Sequence, residues 1–246
     1  DLTGFSMTTE SANLRICCYG SSSSATPEAF LNEAYSLGKV LAERNHVCVN
    51  GGGKNGCMGK MNDGCNDHGG TINAVIHEMF VLDGAEYLSA SQSSGRHSLI
   101  VTKGPNLKER KEKLVENCDG IIVLPGGTGT FDELFEMVSQ RCLGIFTEPI
   151  VCVSVDGFYD DVERLLKRAE KDKLLHVKAE DCVKVVRTSE EAVEWIEAQH
   201  AGQNRGAGSR AKARKQNKKV VGDNLRTLAL MAVGFVAGVI YSRRKL

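Results

Sequence analysis

Ile121-Ile-Val-Leu-Pro-Gly-Gly-Thr-Gly-Thr-Phe-Asp-Glu133 is the stretch that decides the fold of this chain. Its four leading apolar residues, Ile121 to Leu124, read as a short buried strand. Three glycines and two threonines then turn the chain into an amphipathic helix, expected over 131–143 and starting near Thr130. A strand that ends in a glycine-rich turn at a helix N-terminus aims unpaired backbone N–H groups at one point, which favours a bound phosphate. Glu133 stands beside that point. An acid there has two uses: chemistry, or the return bond of a capping box formed by Thr130-Phe-Asp-Glu133.

The same strand–turn–helix unit recurs to either side. Strands are expected at 14–19, 46–49, 71–76, 97–101, 150–155 and 182–186. Helices are expected from Pro27 with Thr26 as its cap, and over 58–66, 158–171 and 190–199. Asn106-Leu-Lys-Glu109 has the pattern of a capping box opening a further, basic helix. Ser89–Gly95 reads as an irregular loop. Alternating βα units imply an α/β fold: a doubly wound, Rossmann-like parallel sheet with helices on both faces. Ligands in such sheets bind beyond the strand C-termini, where the glycine-rich turns fall.

Composition sets the outer limits. A chain of 246 residues is long enough for one α/β domain with extensions. Its 31 Lys/Arg balance 31 Asp/Glu, but unevenly: residues 201–246 hold 11 basic residues and one acid, leaving 20 and 30 for the remainder. An acidic globule therefore carries a basic tail. The expected organisation is an N-terminal extension over 1–13, the catalytic-type domain over 14–200, a basic flexible linker over 201–224 and a membrane-like helix over 225–242. Leu225–Tyr241 is apolar apart from Arg226 and Thr227, is flanked by basic residues and contains Gly234-Phe-Val-Ala-Gly238. About 25 Å of helix is at the short end for crossing a bilayer, so a tail anchor competes with an interfacial helix. The chain begins at Asp1, and Met7 is the expected native start. Nine cysteines without a Cys-x-x-Cys pair or zinc spacing point to reduced thiols, most of them small apolar core residues.

Three elements could carry chemistry. Gly51-Gly-Gly-Lys-Asn-Gly-Cys-Met-Gly59 is a second glycine-rich turn between strand and helix, matching neither the dinucleotide fingerprint nor the Walker pattern. Arg110 stands out of the basic set Lys108, Arg110, Lys111 and Lys113, because its planar fork suits phosphate or carboxylate. Glu133 and its turn complete the set, a nucleotide-sized pocket with an acid in it.

Together, Gly51-Gly-Gly-x-x-Gly-x-Met-Gly59, Glu109-Arg110-Lys111 and Pro125-Gly-Gly-x-Gly-Thr-x-x-Glu133 resemble the LONELY GUY (LOG) family. These are cytokinin riboside 5′-monophosphate phosphoribohydrolases, often labelled lysine decarboxylases. Cys18-Tyr-Gly-Ser-Ser-Ser23 and Val155-Asp-Gly-Phe-Tyr159 support the likeness, which covers about 14–187. The resemblance implies a hydrolase without metal or cofactor that splits the N-glycosidic bond of a nucleoside 5′-monophosphate into free base and ribose 5-phosphate. It makes Arg110 and Glu133 the catalytic pair. It assigns Ser21, Gly51, Gly52, Gly53, Lys111, Gly126, Gly127, Thr128, Gly129, Thr130 and Asp132 to substrate and phosphate binding. It also implies a homodimer, no nucleic-acid partner, and a region 78–103 that shapes the base pocket. Leu107 stands where the family usually has Met, and His77-Glu78 where it often has Pro-Lys. The tail adds an expectation of its own: a cytoplasmic domain anchored to an organelle membrane, whether mitochondrial outer membrane, endoplasmic reticulum or peroxisome. A non-catalytic nucleotide-binding module of the same fold is the alternative, and it needs the glycines but not both Arg110 and Glu133.

Overall fold

The computed structural model describes residues 13–82, 84–88 and 95–205. The chain divides into two compact units between Gln199 and His200, and the sheet belongs to the first. Its strands are β1 (Arg15–Tyr19), β2 (Val47–Asn50), β3 (Thr71–His77), β4 (Ser98–Thr102), β5 (Gly120–Val123), β6 (Ile150–Val153) and β7 (Lys184–Val186). The helices are α1 (Glu28–Glu43), α2 (Gly56–Asp67), α3 (Glu78–Leu82), α4 (Lys108–Val115), α5 (Thr128–Cys142), α6 (Asp160–Lys171), α7 (Ala179–Cys182) and α8 (Ser189–Arg205).

The strands form one parallel sheet in the order β4-β3-β2-β1-β5-β6-β7. Strand periodicity shows how both faces are covered. Ile16 and Cys18 of β1 join Cys48, Ile72, Ala74, Ile122 and Val151 in a core against α1, α2 and α8. Cys17 and Tyr19 point the other way and join Val49, Val75, Ile121, Val123 and Cys152 against α4–α7. Strands buried on both faces cannot alternate polar with apolar, which is why these runs read as continuous. Burying one such aliphatic side chain is worth roughly 1.5–3 kcal/mol, so the sheet is the main store of stability.

The expected doubly wound architecture is therefore present, with corrections at its edges. Helix α5 starts at Thr128 with Gly127 as N-cap, so Thr130 is no cap. Asn106 and Glu109 form no capping box either: α4 begins at Lys108, and Asn106 Oδ1 accepts the Lys108 N–H at 3.0 Å in a local turn. Thr26 does not cap α1, which opens at Glu28 after Pro27; its hydroxyl donates to Ser23 O at 2.7 Å instead. For Asn106 and Thr26 the side chain found a nearer backbone partner than the helix end, and Thr130 already lies inside its helix. Cys182 lies in the short α7 rather than in a strand, and α3 has no counterpart among the expected helices. Helix α8 runs on to Arg205, into the stretch expected to be linker. The remaining linker and the Leu225–Tyr241 helix lie outside the described residues. Among the described residues no helix is long and apolar enough to cross a membrane.

From β1 the sheet grows in both directions, through β2 on one side and β5 on the other, and a crevice opens beyond the C-terminal ends of these strands. Such a reversal of strand order is where doubly wound sheets bind ligands.

Candidate active site

Three turns leave this edge of the sheet, after β1, β2 and β5, and Ser21 ties them together. Its N–H donates to Pro125 O at 3.0 Å, and its own carbonyl accepts from Met58 N–H at 3.2 Å. Its hydroxyl pairs with Thr26 Oγ1 at 2.8 Å. The turn after β2 is fixed from beneath by Asn50, fully buried, whose Oδ1 accepts the Gly52 N–H at 2.8 Å. Asn50 Nδ2 in turn donates to Asn62 Oδ1 of α2 at 2.7 Å. Residues 85–87 lie along the same turn: Tyr87 N–H donates to Gly52 O at 2.8 Å, and Lys54 N–H to Ala85 O at 2.9 Å. Below β5, the Tyr159 hydroxyl donates to Leu124 O at 2.8 Å.

The turns enclose a cavity of about 430 Å³, within the range of about 300–1,000 Å³ usual for small-ligand sites. Its lining is polar at Ser21, Ser22, Ser23 and the start of α5 from Gly127 to Thr130, and apolar at Met58, Ile76, Phe80, Ala85 and Leu107. Glycine at N-cap leaves the α5 terminus without a side-chain cap. The Thr128, Gly129 and Thr130 N–H groups precede the first intrahelical bond, from Phe131 N–H to Gly127 O. These free donors and the helix dipole make the polar end a site for an anion.

Arg110 and Glu133 meet in the lining of the same cavity. Arg110 Nη1 donates to Glu133 Oε1 at 3.1 Å, with side chains 10% and 14% exposed. Arg110 Nε donates to Val75 O at 3.1 Å and Nη2 to Gly51 O at 3.4 Å. Three of its five donors are thus engaged. Its guanidinium also lies 6.0 Å from the centroid of the Phe80 ring. Burial raises the Glu133 pKa above the ordinary glutamate value, and Arg110 opposes that shift without cancelling it. With helix α5 starting at Thr128, Glu133 is the sixth helical residue and sits too far along to return a cap bond. The capping explanation for this acid is removed, and its partner is Arg110.

Most expected site residues converge here. Ser21, Gly51, Gly53, Arg110, Lys111, Gly127, Thr128, Gly129, Thr130, Asp132 and Glu133 line the cavity. Lys111 and Asp132 stand at the rim, joined at 3.1 Å, with Lys111 also paired to Glu136 at 2.6 Å. Two expected residues do not line it. Gly52 supports the β2 turn in a left-handed conformation (φ 71°), and Gly126 lies beneath Thr130, where a Cβ would collide with the Thr130 hydroxyl. Gly51 is needed for a similar reason, since a Cβ there would collide with Arg110 Nη2.

Other residues went unforeseen. Tyr19 lines the cavity, and burial together with the neighbouring Cys17 and Glu133 pushes its hydroxyl well above the usual tyrosine range, so it stays protonated. Phe80 and Ala85 fall in the region 78–103 that the resemblance assigned to the base pocket, but they could not be singled out, because a five-residue helix and its following turn are too short to show periodicity. Asn50 had a signal: a buried amide directly before a glycine run is a turn-forming device.

Fold and site together define a doubly wound α/β protein with a cleft at the strand reversal, lined by an uncapped helix N-terminus and a buried Arg–Glu pair. Residues 58–196 match the family model described as "possible lysine decarboxylase". A cytokinin riboside 5′-monophosphate phosphoribohydrolase of Arabidopsis thaliana is 33% identical over 161 residues, 65% of this chain and 72% of that protein. One from Oryza sativa subsp. japonica is 31% identical over 182 residues, 74% of this chain and 71% of its own length. The chain belongs to this LONELY GUY family. A molybdenum cofactor carrier protein from Chlamydomonas reinhardtii shares the fold, with a TM-score of 0.55 at 21% identity over 77% of this chain and 99% of that one.

Proposed function

We propose that this protein hydrolyses the N-glycosidic bond of a nucleoside 5′-monophosphate, a cytokinin riboside 5′-monophosphate or AMP, to free base and ribose 5-phosphate. The observation that carries the reading is the buried Glu133 carboxylate, held by Arg110 in a cavity that an uncapped helix terminus and apolar side chains also line. The names of the relatives support the same chemistry.

In this reading the phosphate takes the Thr128–Thr130 N–H groups, and the base takes the wall of Met58, Ile76, Phe80, Ala85 and Leu107. The C1′–N bond then lies near Glu133. As that bond breaks, positive charge grows on C1′ and the ring oxygen, and a fixed carboxylate in a water-poor site stabilises it. Glu133 also accepts a proton from the attacking water, whose hydroxyl adds to C1′, while the departing base takes a proton from solvent and Glu133 later returns its own to solvent. Arg110 fixes the carboxylate in place and turns its remaining donors to the substrate. Binding energy from the phosphate holds the ribose in register.

The protein is also proposed to act as a homodimer, from the family resemblance. Its C-terminal Leu225–Tyr241 stretch is proposed to tether a cytosol-facing domain to an organelle membrane, from length and apolar composition alone. The deciding experiment offers the purified chain a panel of nucleoside 5′-monophosphates and follows free base and ribose 5-phosphate by chromatography. Release from AMP or an N6-substituted AMP is expected, and the corresponding nucleosides should react far more slowly. No base from any member of the panel would end the enzymatic reading and leave a binding module.

A further inference from the structure

Cys142 and Cys182 are far from the cleft, and nothing in the proposed reaction uses them. Cys142 closes α5 and Cys182 closes α7, yet their sulfurs stand 2.9 Å apart. Arg141 holds the two ends together. Its Nε donates to Asp181 O at 2.6 Å, and its Nη1 to Thr147 O at 2.8 Å and Glu148 O at 2.6 Å. The Cys182 thiol also donates to Lys178 O at 3.4 Å, within α7. The pair therefore does not meet by chance rotation of two surface side chains. The Arg141 bond to Asp181, from the residue before Cys142 to the residue before Cys182, sets the approach.

Access is equally specific. All nine cysteines are free thiols, and eight of them are buried; Cys142 alone is partly exposed. The buried clusters on the sheet are closed to solvent, so an oxidant meets Cys142 first. We propose that Cys142 and Cys182 form a peroxide-reactive dithiol that closes into an intramolecular disulfide between α5 and α7. Ionised Cys142 sulfur attacks one peroxide oxygen. The O–O bond breaks, a sulfenic acid forms on Cys142, and the departing hydroxide takes up the thiol proton and leaves as water. Cys182 sulfur then attacks the Cys142 sulfur, the S–O bond breaks, and the hydroxyl leaves with the Cys182 proton as a second water. Two thiols lose two electrons and the peroxide becomes two waters.

Burial pushes the Cys182 thiol up to about 12, so it stays protonated and suits the second role rather than the first. The result would be a covalent link across 40 residues of chain, from the helix that begins at the cleft to the segment before β7.

The test treats the reduced full-length chain with hydrogen peroxide and maps its thiols by mass spectrometry. The expected product has lost two hydrogen atoms, with the peptide beginning at Cys142 joined to the peptide containing Cys182, and fragmentation placing the bond on Cys142 rather than Cys152. Oxidised chain should melt higher than reduced chain by on the order of 5 °C, because the link restricts the unfolded state. Cys182→Ser should stop at the sulfenic acid, trapped on Cys142 by a cyclic 1,3-dione, and Cys142→Ser should form no cross-link. Nine unchanged thiols after peroxide, a first oxidation at one of the other seven, or a bond between two chains would each overturn the proposal. The wild-type map alone suffices if a variant fails to fold.

Discussion

Replacing Glu133 by Gln separates a catalyst from a structural acid more sharply than any other change in this chain. The substitution keeps size and one acceptor oxygen, so Arg110 Nη1 retains a partner at the 3.1 Å position, along with Val75 O and Gly51 O. What disappears is charge. At 3.1 Å the pair attracts by about 5 kcal/mol if the effective dielectric is about 20. Desolvation of both groups offsets most of this, since removal from water is costly for each ion. The raised pKa of Glu133 shows that burial outweighs the pull of Arg110 on the carboxylate itself. Net stability should therefore change by only about 1–2 kcal/mol, a shift of a few degrees in melting temperature. Catalysis has no such compensation. A carboxylate that stabilises the developing cation and accepts the water proton supplies about 10³–10⁴-fold, or roughly 4–5.5 kcal/mol of barrier. Steady-state assay of base release, with melting followed by circular dichroism, is the measurement. A fall in kcat of that size with a near-wild-type melting curve and KM is the expected outcome. Turnover within tenfold of wild type would refute the reasoning, and so would an unfolded variant, since the hydrogen bond has been kept.

The same geometry carries further expectations. If ionised Glu133 is the active form, kcat/KM should fall with acid through a pKa above the ordinary glutamate value of about 4.3; the raised pKa means that protonation begins at higher pH. The stability sign is opposite: a carboxylate with a raised folded-state pKa makes the fold lose stability as pH rises between the unfolded and folded values, so Glu133→Gln should flatten that part of the curve. An acid limb at or below about 4.3 would refute this assignment. Gly129→Ala and Gly126→Ala should act in opposite ways. A Cβ on Gly129 enters open space in the first turn of α5, gaining about 0.5–1 kcal/mol of helix stability while crowding the anion site, whereas one on Gly126 collides with Thr130. Melting temperature and KM read together check the pair, and equal destabilisation by both would count against the geometry. Tyr159→Phe removes the donor to Leu124 O at a fully buried position and should cost about 1–3 kcal/mol in denaturant titration.

The fold was legible in the sequence because it rests on local chemistry. Runs such as Ile121–Leu124, without polar alternation, announce strands covered on both sides, and glycine-rich turns mark where the chain reverses. The strand–turn–helix order then leaves few topologies. Arg110 stood out for its planar fork, and the family resemblance paired it with Glu133. Besides the short α3 and α7 and the far end of α8, sequence failed at helix starts. Thr130 and Asn106 have the residue types of capping boxes, but a cap depends on which backbone groups are free, and Gly127 and a local turn had already taken those places.

Sequence by itself determined the sheet, its two-sided covering, the anion-binding turn and the identity of the acid beside it. Only tertiary structure decided what that acid meets. Its partner is Arg110, 23 residues away and on another helix, and burial raises its pKa. The apolar wall and the Cys142–Cys182 contact likewise join segments whose spacing carries no periodic signal. Local patterns record what each segment prefers, while distance and burial exist only once those segments are packed.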